Sequence, residues 1–190
     1  MDGVYPAAVM TQIHVSVFGS SQAKPGDLDY ENAVALGRLL AQRGYAVING
    51  GYGGLMEAVS AGAAGSGGEV IGVTAPSVFP GRSRANEFLT AERPAPNLVN
   101  RIGTMLEMSD AAIALPGSLG TLTELVMTWN LNFVAKFSGV APIPLITVGS
   151  QWSDLVPLLT SQVSTDGDLV TCVDSIEEAV QRLDVQMPPK

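Results

Sequence analysis

With 190 residues, 46% of them hydrophobic, 15% charged and 21 glycine, the chain has the makings of one folded α/β domain, not of a disordered or fibrous one. Its net charge of −8 argues against a nucleic-acid surface, which needs clustered Lys and Arg. A lone cysteine, Cys172, excludes an intrachain disulfide. Residues 1–10 lack the basic start and apolar core of a signal peptide, and no apolar run reaches membrane-spanning length. These features together point to the cytoplasm, with no membrane partner.

In chain order, strand and helix patterns alternate without an internal repeat. Ile13–Phe18 reads as a first strand, followed by Gly19-Ser20-Ser21. The single histidine, His14, falls in that strand as an interior or edge residue, and with Cys172 alone it cannot build a soft-ligand metal site. Glu31–Gln42 is an amphipathic helix closed at Gly44, and Tyr45–Ile48 a second strand. The glycine-rich run Asn49-Gly50-Gly51-Tyr52-Gly53-Gly54 then leads into a helix over Leu55–Ala64. Glu69–Val73 is a third strand. The Pro-rich stretch Ala75–Asn97 shows no periodicity and reads as a lid or binding loop whose Arg82, Arg84 and Arg93 could meet an anion.

Leu98–Met108 is a helix and Ala111–Leu115 a fourth, buried strand. A long apolar helix follows from Thr121 to Phe137, then a strand at Ile143–Val148 and a helix over Trp152–Thr160. A short strand at Leu169–Val173 and a helix over Ser175–Leu183 finish the domain. The βαβα rhythm implies a Rossmann-like, doubly wound parallel sheet in one domain over residues 13–185. Residues 1–12 are an extension and residues 186–190 a tail.

The richest segment is Pro116-Gly117-Ser118-Leu119-Gly120-Thr121-Leu122-Thr123-Glu124, directly after the fourth strand. A Gly-rich turn over a helix N-terminus offers free backbone N–H groups to an anion, most often a phosphate. Thr121 reads as the N-cap, and Glu124 as either the far member of a Thr121-x-x-Glu124 capping box or a functional carboxylate. In a parallel sheet the strand ends share one ligand-binding edge. Gly19-Ser20-Ser21, the Gly50–Gly54 loop and Pro116–Thr121 therefore converge there. The helix Leu98–Met108 and its following strand each span about 17 Å, so Arg101 also returns to that edge, beside the apolar stripe of Leu98, Ile102, Met105 and Leu106.

Other motifs fail. There is no G-x-x-x-x-G-K-[ST], and Met56 stands where the dinucleotide fingerprint needs a small residue. Lys24, Lys136 and Lys190 are the only lysines, and none sits in a Schiff-base context.

Taken together, Phe18-Gly19-Ser20-Ser21, Gly50-Gly51-Tyr52-Gly53-Gly54-Leu55-Met56-Glu57-Ala58, Gly68–Val73 and Pro116–Glu124 resemble the LOG (LONELY GUY) family, whose hallmark is P-G-G-x-G-T-x-x-E. The resemblance covers residues 13–160. It implies a homodimeric cytokinin riboside 5′-monophosphate phosphoribohydrolase, which hydrolyses the N-glycosidic bond of a nucleoside 5′-monophosphate, with no cofactor and no metal. The family's functional Arg and Glu map to Arg101 and Glu124. Gly19, Ser20, Gly50, Gly51, Glu57, Gly117, Ser118, Gly120 and Thr121 are the expected substrate- and phosphate-binding positions. Ser118 replaces the hallmark's second Gly and Ile102 the Lys that often follows the Arg, which keeps a non-catalytic nucleotide-binding module as the alternative. The apolar helix from Leu122 to Phe137 is expected to bury itself in the homodimer through Trp129 or Phe133.

Overall fold

The computed structural model describes residues 12–79 and 84–188. The expected N-terminal extension, apart from residue 12, and Arg82 lie outside them. In chain order the elements are β1 (His14–Phe18), α1 (Leu28–Gln42), β2 (Ala46–Asn49), α2 (Leu55–Ala64), β3 (Val70–Thr74) and β4 (Ala91–Pro94). There follow α3 (Leu98–Glu107), β5 (Ala111–Ala114), α4 (Leu119–Ser138), β6 (Leu145–Val148), α5 (Ser150–Gln162), β7 (Thr171–Val173) and α6 (Ile176–Gln186). A single 3-10 turn, Gly167–Leu169, precedes β7.

The strands form one parallel sheet of seven in the order β4-β3-β2-β1-β5-β6-β7. The central strands are short runs of Val, Ile and Ala because both of their faces are covered. On one face Val15, Val17, Val47 and Ile113 pack against Leu36 and Leu40 of α1, Val59 of α2 and Val180 and Leu183 of α6. On the other, Ile48, Ala112 and Leu145 meet Ile102 and Met105 of α3, Leu125 and Trp129 of α4, and Trp152 and Val156 of α5. The chain therefore leaves β1 toward the first face and β5, its neighbour, toward the second. Adjacent strands whose connections part in this way open a crevice at their carboxyl ends.

Four details depart from the sequence reading. A seventh strand, β4, lies inside the stretch read as structureless. It is an edge strand paired to β3, largely exposed, and Ala91-Glu92-Arg93-Pro94 carries no apolar pattern to betray it. Second, α4 starts at Leu119 with Ser118 as its N-cap, so Thr121 is not the cap and no Thr121–Glu124 capping box exists. Third, α6 runs to Gln186, one residue into the expected tail. Fourth, Trp129 does not face a partner: it is 4% exposed, and its Nε1 donates to the Asp166 carbonyl at 2.8 Å. Besides Leu119 at its start, the exposed large apolar side chains of α4 are instead Val126, Met127, Leu131, Val134 and Phe137, with half-buried Phe133 edge-on against Phe137. Among the described residues no helix is long and apolar enough to cross a membrane.

Candidate active site

Arg101 is placed by the first turn of α3. Asn97 caps that helix, its Oδ1 accepting from Asn100 N at 2.9 Å. The Arg101 side chain is buried, only 5% exposed, and its Nε donates to the Val73 carbonyl at the end of β3 at 2.8 Å. Its guanidinium lies over the Tyr52 ring, 5.9 Å from the centroid, and Nη2 is 3.8 Å from Met56 Sδ. Gly50 supplies the room: a Cβ there would run into the guanidinium itself. The Gly-rich loop after β2 thus leaves space for a cation that β3 and Tyr52 hold in place.

Glu124 comes from the second turn of α4 and faces that cation. Arg101 Nη1 and Glu124 Oε1 are 3.5 Å apart, with both side chains largely out of water. At that separation the guanidinium does not fully offset the loss of hydration. Burial pushes the Glu124 carboxyl up to about 7, and Arg101 opposes the rise without cancelling it. A carboxyl poised near neutral pH in a cleft can hold or take a proton as chemistry demands.

The cleft around the pair has a volume of about 280 Å³ and lies at the carboxyl ends of β1 and β5. Of the expected site residues, Gly19, Gly50, Arg101, Ser118, Gly120, Thr121 and Glu124 line it. Met56, Phe79, Leu98 and Ile102 form its apolar wall. The first N–H groups of α4 have no carbonyl of their own helix to bond, so they present the positive end of a 20-residue helix to the cleft.

Ser20, Gly51 and Gly117 stand behind the lining as backbone supports. Ser20 N donates to the Pro116 carbonyl at 3.1 Å and its carbonyl accepts from Leu55 N at 2.8 Å, which ties three loops together. Gly51 adopts φ +76°, its N–H bonded to Asn49 Oδ1 at 2.8 Å. At Gly117 a Cβ would collide with the Thr121 hydroxyl. Glu57 does not line the cleft. It lies close enough to Tyr30 of α1 to reinforce the rise that burial imposes on that phenol.

Two contributors escaped the sequence reading. Tyr52 carries the guanidinium, accepts Ala75 N–H at its hydroxyl at 2.8 Å and meets Phe79 edge-on at 5.6 Å. The signal was an aromatic residue inside a glycine run, where a solvated loop has no use for one. Gln151 of α5 bonds Gly117, and nothing in its sequence context marks it.

A family model described as the SLOG cluster4 family matches residues 12–134. The chain is 38% identical over 154 residues to the probable cytokinin riboside 5′-monophosphate phosphoribohydrolase LOGL5 of Oryza sativa subsp. japonica, covering 78% of this chain and 60% of that one. It is 31% identical over 180 residues to the cytokinin riboside 5′-monophosphate phosphoribohydrolase LOG3 of Arabidopsis thaliana, covering 90% of this chain and 80% of that one. Its fold is also similar to the molybdenum cofactor binding protein of Rippkaea orientalis, with a TM-score of 0.76 and 23% identity over 94% of this chain and 99% of that one. Family model and curated relatives agree with the motifs and with the fold: this chain belongs to the LOG family, within the SLOG cluster4 group.

Proposed function

We propose that this chain hydrolyses the N-glycosidic bond of a nucleoside 5′-monophosphate, cytokinin-type or another purine, releasing the free base and ribose 5-phosphate. The observation that carries the reading is Glu124, a buried carboxyl held near neutrality beside Arg101 in a cleft of nucleotide-sized dimensions. The names of the rice and Arabidopsis relatives support the reaction class.

The 5′-phosphate sits against the N-terminus of α4, where Gly120, Thr121 and the Ser118 hydroxyl supply donors. As the bond from C1′ to the base nitrogen breaks, its electron pair leaves with the base and positive charge builds on the ribose. The ionised Glu124 carboxylate stabilises that charge. Water then adds to C1′ and its proton passes to Glu124; the departing nitrogen takes one proton from solvent, and Glu124 returns its own to solvent, which restores the carboxylate. Arg101 orients the carboxylate, since its Nε is committed to Val73 and its Nη1 faces Glu124. The base lies along the wall of Met56, Phe79, Leu98 and Ile102.

The active form is a homodimer in which the exposed stripe of α4, including Leu131, Val134 and Phe137, is covered by the same stripe of a second copy. Incubation of the protein with a panel of nucleoside 5′-monophosphates, followed by chromatographic detection of free base, tests the activity. Release of base together with equimolar ribose 5-phosphate is expected. Saturable nucleotide binding with no release would support the non-catalytic module instead.

A further inference from the structure

The loop between β5 and α4 is held from outside the cleft by two consecutive residues of α5. Trp152, fully buried, donates from Nε1 to the Leu115 carbonyl at 3.1 Å. Gln151 engages the next glycine at two points: Oε1 accepts Gly117 N–H at 3.0 Å and Nε2 donates to the Gly117 carbonyl at 2.7 Å. A primary amide is the side chain that can satisfy the N–H and the carbonyl of one residue at once. On the opposite side Ser20 N–H holds the Pro116 carbonyl.

We propose that Gln151 is a positioning residue for anion recognition. By taking both backbone polar groups of Gly117, it holds that N–H and that carbonyl away from the cleft, which Gly117 does not line. The phosphate is then left to the N–H groups that begin α4 and to Ser118. The clamp also stiffens a loop of small residues that would otherwise sample several conformations, so less ordering is needed when an anion binds. The inference rests on the reading of this loop as the seat of the 5′-phosphate, and it adds a residue remote from the ligand that sets phosphate affinity. Gln151 is exposed at the head of α5 and contributes little to the core, so its loss leaves the fold intact.

Ribose 5-phosphate, the part common to every substrate of this class, is the probe. Calorimetric titration of wild type, Gln151→Ala and Gln151→Glu is expected to show affinity falling about five- to tenfold in the alanine variant, as befits the loss of two solvent-exposed hydrogen bonds. The glutamate variant should bind more weakly still, because a carboxylate cannot donate to the Gly117 carbonyl and adds negative charge near the anion. In hydrolysis assays KM for the nucleotide should rise by a similar factor while kcat holds. Unchanged ribose 5-phosphate affinity in Gln151→Ala, a fall in kcat at constant KM, or no ribose 5-phosphate binding by wild type would each overturn the proposal. A wild type that binds ribose 5-phosphate but releases no base would remove the proposed hydrolysis and leave the Gln151 test standing.

Discussion

Glu124 and Arg101 share a site in which burial, not charge pairing, sets the carboxyl's behaviour. Two consequences are measurable. Hydrolysis that needs the ionised carboxylate should rise with pH along a limb centred near 7 and level off above it. A log(kcat/KM) profile checks this, and a flat profile from pH 5 to 9 would exclude Glu124 as the titrating group.

Stability moves the other way. The folded-state carboxyl holds its proton more tightly than the unfolded one, so its contribution is full below the ordinary carboxyl range and is lost as pH rises through about 7. Glu124→Gln, which mimics the protonated form, should be more stable than wild type at pH 8 by about 3 kcal/mol and indistinguishable from it at pH 4. Denaturant titrations at the two values read this directly. Gly50→Ala places a methyl against the Arg101 guanidinium and, under the proposed mechanism, should lower kcat by about two orders of magnitude, since displacing by roughly an ångström the group that orients the reacting carboxylate has that effect. A melting curve separates this loss from unfolding.

That Arg101 and Glu124 share one sheet edge was legible in the sequence, because a helix and a strand of matched length bring the first turn of one to the end of the other. The support beneath them was not. Gly50 as the slot for a guanidinium, and Tyr52 as its platform, depend on side-chain packing that no spacing rule encodes.

Among the elements, α4 carries the most weight, since its N-terminus faces the cleft and its flank exposes a run of apolar side chains. The sequence named Trp129 or Phe133 as the outward residues; the exposed ones include Val126, Leu131, Val134 and Phe137, Phe133 is half-buried, and α4 turns Trp129 inward to bond the Asp166 carbonyl. Apolar residues around nearly the whole helix could not say which side the sheet would claim. Boundaries were legible where composition changes sharply, as at Gly44, whose φ of +79° ends the turn after α1. They were illegible where backbone alone decides, as at Ser118, an N-cap that makes no side-chain hydrogen bond to its helix. If the flank is a dimer interface, the double variant Leu131→Asp, Val134→Asp should run as a monomer in light scattering at micromolar concentration, where wild type runs as a dimer. A wild-type monomer, or a double variant that stays dimeric, would refute that assembly.

At the scale of the molecule, function follows from topology. Chain order places β1 beside β5, their connections leave toward opposite faces, and three glycine-bearing loops meet at the opening. The parallel sheet was readable from the alternation of buried runs and amphipathic helices, while β4 was not, because an exposed edge strand needs no apolar code. Fold alone does not settle chemistry: the Rippkaea orientalis protein of similar fold is named for molybdenum cofactor binding, the Arabidopsis relative for hydrolysis of a cytokinin riboside 5′-monophosphate. The burden falls on the Arg101–Glu124 pair. The most direct test compares wild type with Glu124→Gln on one nucleoside 5′-monophosphate that wild type cleaves, measuring base release and nucleotide affinity in the same preparations. The account predicts that Glu124→Gln binds the nucleotide with affinity within a few-fold of wild type and releases no base above background. A Glu124→Gln protein that turns over at the wild-type rate would contradict it.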